Sequence, residues 1–166
     1  MLTFLRRFLS GELAAAGPAT RYRQIKEEVT RLDLAMARVA AADVFADSAV
    51  IEEYEPRGPI PAPLPLAELT ASFLQEHGYF RTVSDDILVD RSTAQRWEPH
   101  PAWIVLGRSP SGILLVVRAN GSELCETEGD SEDDLLREAF PTIFHWIAWL
   151  GRKNAEASNH SADSEQ

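Results

Sequence analysis

Trp103-Ile-Val-Leu-Gly107 and Gly112-Ile-Leu-Leu-Val-Val-Arg-Ala119, joined by Arg108-Ser-Pro-Ser111, decide how this chain is read. Two runs rich in β-branched and aliphatic residues, separated by Ser, Pro and Gly, predict a β-hairpin. The stretch after the hairpin is unusual in charge. The window Glu123 to Glu138 holds eight carboxylates against one base, Arg137, and so carries most of the chain's net charge of -10. Within it, Leu124-Cys125-Glu126 alternates as a strand does, and Ser131 with Asp134 three residues on predicts the start of a helix. Acids in the first turn suit the positive end of that helix.

Beyond this window, Leu136, Phe140, Ile143, Ile147 and Leu150 recur at helical spacing, widened by Phe144, Trp146 and Trp149. Pro141 predicts a kink or two abutting helices, and Gly151 is expected to end the second. Residues 152–166 are rich in Ser, Asn, Asp and Ala and are expected to be a disordered tail.

Upstream of the hairpin, Tyr79 to Val83 and Ile87 to Val89 read as short strands around Ser84-Asp85-Asp86. Leu66, Leu69, Phe73 and Leu74 predict a short helix closed at Gly78, with His77 in its last turn. Tyr54 to Leu66 contains five prolines and reads as an extended connector. Tyr22, Ile25, Val29, Leu32, Met36 and Val39, spaced by three and four, predict one long helix from Thr20 to about Asp43. Residues 1–17 form an amphipathic segment of Leu2, Phe4, Leu5, Phe8 and Leu9 with Arg6 and Arg7. That segment is expected to pack on its own domain or on a second copy of the chain rather than lie on a membrane surface.

The fold expected from these elements is α+β. It is one domain over residues 18–151, with the Pro-rich connector at 54–66 and a mostly antiparallel sheet packed against a long N-terminal helix and a C-terminal aromatic helix.

Composition narrows the function. With 26 acids to 16 bases, the chain has no basic face for nucleic acid. No apolar run approaches the roughly 18–20 residues of a membrane span, and the N-terminus lacks the pattern of a secretion signal. A single cysteine, Cys125, excludes an intramolecular disulfide, so a cytoplasmic location is the simplest expectation. No cofactor or metal is called for. Cys125 with His100 or His145 forms no recognised nucleophile pair, and Glu128 to Asp134 lacks the ligand spacing of a calcium loop.

The acidic window instead reads as an electrostatic docking face for a basic protein partner. Its expected contacts are Glu123, Glu126, Glu128, Asp130, Glu132, Asp133 and Asp134, with Trp97 and Trp103 as aromatic anchors. Two alternatives stand beside it. One is a structural or regulatory homodimer built on the Tyr22 to Val39 stripe; the other is a small hydrolase using Asp85, Asp86 and Asp90.

Three segments also carry a family resemblance. Leu64 to Phe80, LPLAELTASFLQEHGYF, resembles the Leu-Pro, short helix, Phe-Leu and terminal-Gly segment of the SUKH superfamily, the Smi1/Knr4-like proteins. Pro101 to Val117, PAWIVLGRSPSGILLVV, resembles that superfamily's Trp-x-x-x-Gly strand, glycine turn and hydrophobic strand. Glu138 to Leu150 resembles its closing helix after an acidic loop, with Phe140 and Phe144 in aromatic positions. The Pro-x-x-Tyr pattern and the Asn-Gly of the superfamily are replaced here by Ala67 to Ser72 and His77-Gly78. The resemblance implies a mixed α+β fold and a non-catalytic role, in bacteria often that of an immunity protein covering the working surface of a basic toxin.

Overall fold

The computed structural model describes residues 17–164. Apart from Gly17, the expected N-terminal amphipathic segment lies outside them. Among the described residues the helices are α1 (Pro18–Thr30), α2 (Leu34–Phe45), α3 (Glu68–Glu76), α4 (Glu132–Glu138) and α5 (Ile143–Ser164). The strands are β1 (Ile51–Glu53), β2 (Tyr79–Thr82), β3 (Leu88–Asp90), β4 (Gln95–Arg96), β5 (Trp103–Arg108), β6 (Leu114–Arg118) and β7 (Leu124–Thr127). They form one sheet in the order β1-β2-β3-β5-β6-β7, with the short β4 also pairing with β5, and every pairing is antiparallel. The fold is α+β.

The pleat of β5, β6 and β7 sends alternate residues to opposite faces. Ile104, Leu106, Leu115, Val117 and Leu124 join Phe80, Phe73 and the α5 residues Ile143, Trp146, Ile147 and Leu150 in the main core. Trp103, Val105, Val116 and Cys125 make a second, smaller core with Trp97 and Leu135. Gly107 sits where a side chain would meet the Leu88 carbonyl oxygen at 2.8 Å, so its lack of a Cβ lets β3 approach β5.

The N-terminal helix is two helices, not one. The chain turns at Arg31 to Asp33, where the Asp33 carboxylate accepts from the Met36 backbone N–H at 2.8 Å and starts α2 afresh. The six-residue stripe is therefore divided: Val29 is fully buried, whereas Met36 and Val39 are 57% and 66% exposed. Ala37, Ala41 and Val44 take the inward positions of α2, because small side chains let it lie close against α5. The start of α1 also differs from expectation, since Gly17 and Pro18 open it and no side chain caps it.

Gly151 does not end the last helix. A Cβ there would strike the Val44 side chain, so the glycine is the point where α2 and α5 touch, and α5 runs on to Ser164. The expected disordered tail is thus helical over its described residues. It is tied back by Arg152 to Glu28 (2.9 Å), by Lys153 to Asp85 (2.8 Å) and, through Glu156, to Arg21 (2.6 Å). Pro141 does separate two helices. Between them Phe140 exchanges both backbone hydrogen bonds with Leu124, at 2.7 and 3.0 Å, and covers part of the open edge of β7.

Candidate functional site: an acidic turn at the edge of the sheet

The acidic window leaves the sheet at Thr127. The Thr127 hydroxyl accepts from the backbone N–H groups of Gly129 and Asp130, each at 3.0 Å, and donates to the Asp130 carboxylate at 3.0 Å. Gly129 takes the left-handed region, φ 114°, which closes the turn. Two residues on, the Ser131 hydroxyl accepts from the Asp134 N–H at 3.3 Å and donates to its carboxylate at 2.7 Å, capping α4 as its sequence predicts. Side chains thus fix a turn that the sheet alone would leave free.

The eight carboxylates of the window meet different fates. Glu123 lies 3.6 Å from Arg118, Asp134 lies 3.4 Å from Arg137, and Glu138 lies 3.2 Å from Lys26. Glu126 points to the α5 side of the sheet, half-buried, where its carboxylate accepts from the Trp146 indole N–H at 2.7 Å. Burial pushes the Glu126 carboxyl above its ordinary value, while the Trp146 bond and the Lys153 charge pull it down. Glu128, Asp130, Glu132 and Asp133 remain exposed, and among the described residues no base pairs with any of them. Glu126, Glu128 and Asp130 also border a hollow of about 290 Å3 with Ile113 and Thr127.

The expected aromatic anchors are not on this surface. Trp103 is fully buried in the second core and Trp97 is 9% exposed, because β5 turns Trp103 inward and the Trp97 N–H bonds to its carbonyl at 2.9 Å. The apolar side chain that does reach solvent beside the acids is Leu136, 42% exposed on α4. Helical spacing places Leu136 on the inward face, but Leu135 takes that position, fully buried. The adjacent Leu135-Leu136 pair is the signal in the sequence, since a helix turns neighbouring residues about 100° apart and one stripe cannot bury both.

The other chemical candidates are taken up structurally. Asp85 pairs with Lys153, Asp86 with Arg81, and Asp90 accepts from the Ser92 backbone N–H at 3.0 Å and its hydroxyl at 2.6 Å. The three do not converge on one pocket; Asp90 alone borders the groove of about 740 Å3 between β3, β4 and β5. Cys125 is buried in the second core, which pushes its thiol up to about 12 and keeps it protonated at neutral pH. His145 is held by Thr142 (2.7 Å) and by the Leu32 carbonyl (2.8 Å), and His100 packs edge-on against Trp97. No group of three or more His, Cys, Asp or Glu able to hold a metal occurs among the described residues. Nor is any described helix long and apolar enough to cross a membrane.

The class defined by fold and surface is an α+β protein with one antiparallel sheet, two cores and an acid-rich turn at the β7 edge. The chain matches no protein-family model, no curated protein and no solved structure.

Proposed function

We propose that this chain is a non-catalytic protein-binding module that receives a basic surface of another protein on the turn from Thr127 to Leu136. The observation that carries this reading is the unopposed charge of Glu128, Asp130, Glu132 and Asp133 on a turn held by its own hydrogen bonds. Such a surface raises encounter rates with a positive partner and loses that advantage as salt rises. The hollow bordered by Glu126, Glu128 and Asp130 suits a single lysine or arginine side chain, with Ile113 as its apolar wall, and Leu136 adds an exposed apolar side chain on the helix that follows the turn. The resemblance to the Smi1/Knr4-like proteins supports the same direction, a bacterial immunity-type protein acting in the cytoplasm and covering a basic toxin.

The test is capture of partners at low salt by the native chain and by a variant with Glu128→Gln, Asp130→Asn, Glu132→Gln and Asp133→Asn. One basic protein held by the native chain, released by salt and lost from the variant, is the expected result. Unchanged affinity and unchanged salt dependence in the variant would remove the proposal.

A second reading, a homodimer, is favoured by one observation: Met36 and Val39 leave an apolar strip on the outer side of α2. The remainder of the Tyr22 to Val39 stripe is half-buried or buried. Sedimentation that finds only monomer at high concentration disposes of it.

A further inference from the structure

A hollow of about 350 Å3 opens between α2, α3 and the first turn of α5, away from the acidic turn and sharing no residue with it. Its lining is aromatic. The buried Phe73 ring stands edge-on to Phe144, centroids 5.4 Å apart, and tilted to Phe45 at 5.7 Å. Phe45 and Phe144 are only half-buried, so each keeps surface for a guest to cover, and Ala41, Ala42 and Leu69 extend the apolar wall.

The polar groups at its rim are in different states. His77 stacks on Phe45 at 4.2 Å and is bonded to Glu53 at 3.0 Å, with Glu76 at 3.7 Å from its other nitrogen. That end is matched internally. Arg38 is not: its guanidinium carbon lies 5.1 Å from the centroid of the Phe144 ring, and among the described residues it makes no ion pair or side-chain hydrogen bond. Resting on a ring face holds a guanidinium in place and leaves its planar fork of N–H donors open, a geometry that matches a carboxylate. The volume lies at the small end of ligand sites, about 300–1,000 Å3, which are walled by apolar and aromatic groups with few polar ones.

We infer that this hollow binds a small amphipathic carboxylate, an aromatic or branched alkyl acid whose apolar body covers Phe45, Phe73 and Phe144 while its carboxylate pairs with Arg38. The charge at the Arg38 end sets the orientation, because the other acid or base side chains on the lining are Glu76, which disfavours a second negative charge beside it, and His77, already bonded to Glu53.

The probe is 3-phenylpropionate titrated into the full chain, with 3-phenylpropanol as its uncharged counterpart and binding followed through the aromatic resonances. Saturable shifts of Phe45, Phe73 and Phe144 at roughly millimolar acid are expected for a ligand of that size. The alcohol and the Arg38→Gln variant should each bind about tenfold more weakly, and Arg38→Lys should fall between. Arg38 is exposed, so its replacement leaves the fold in place, which the unliganded spectrum checks. Absence of saturable shifts overturns the inference, and so does equal binding of the alcohol or of Arg38→Gln. Nuclear Overhauser contacts placing Leu5 or Phe8 of the chain's own N-terminal segment against these rings overturn it too.

Discussion

Asp85 to Asp90 and Glu128 to Asp134 look alike in sequence, two acid-rich stretches beside strands, yet the structure uses them in opposite ways. Asp85, Asp86 and Asp90 are each matched by a lysine, an arginine or a backbone N–H within hydrogen-bonding reach. In the second stretch four exposed carboxylates face no base among the described residues, and the order of the turn comes from Thr127 and Ser131 instead. A carboxylate bound to its own fold holds that fold together, whereas one left in water is available to something else.

Breaking that contrast begins at Glu126, the acid just before the second stretch, which is held by the buried Trp146 indole N–H rather than left in water. Glu126→Ala leaves the buried Trp146 N–H without an acceptor and should cost about 1–3 kcal/mol, read by denaturant unfolding. Glu126→Gln keeps an acceptor and should do the reverse at neutral pH. Because burial raises the folded carboxyl above its unfolded value, stability is fullest below the ordinary carboxylate range and falls as pH rises through the raised value. The melting temperature of Glu126→Gln should therefore exceed that of the native chain at neutral pH, and the gap should close towards about pH 4. A constant gap across that range would mean that burial does not raise the Glu126 carboxyl above its ordinary value.

Next in size is Asp90→Ala, which removes the acceptor for Ser92 at the head of the turn Arg91–Thr93; a loss of about 1 kcal/mol is expected in the same measurement. Smaller again is the coupling between Asp85 and Lys153, both partly buried. A double-mutant cycle with Asp85→Asn and Lys153→Met should return about 0.5–1 kcal/mol. Smallest should be the fourfold neutralisation of Glu128, Asp130, Glu132 and Asp133, within about 0.5 kcal/mol of the native chain. A large loss there would erase the distinction between the two stretches and make the second a structural element as well. Cys125 offers a separate check on the second core: a thiol reagent should label it only on unfolding, with no reaction in the folded chain at neutral pH.

Local signals carried much of the architecture. The β5–β6 hairpin, the short helix ending at His77, the Ser131 cap and the break at Pro141 each depend on residues within a few positions of one another, and each lies where its pattern places it. The long-helix expectation failed because the spacing of Leu32, Met36 and Val39 continues a stripe that Asp33 interrupts, and a cap at one residue outweighs periodicity across it. Gly151 and the segment after it depart from expectation for the opposite reason. A glycine is a helix stop in isolation, but here Val44 from a distant helix needs its bare Cα, and ion pairs from Glu28, Asp85 and Arg21 hold the turns beyond it.

For the candidate surface, the sequence located the charge and the fold selected from it. Residue order and composition by themselves determined that the acids cluster late in the chain, that one cysteine leaves no internal disulfide, and that helices flank a run of short strands as in an α+β chain. Which acids reach solvent, which side of β7 Glu126 faces, that Trp97 and Trp103 are interior and that Leu136 rather than Leu135 lies outside were decided only when strands and helices met. The physical reason is that propensity and capping act over a few residues of chain, while burial and charge pairing depend on neighbours brought together from far apart in sequence.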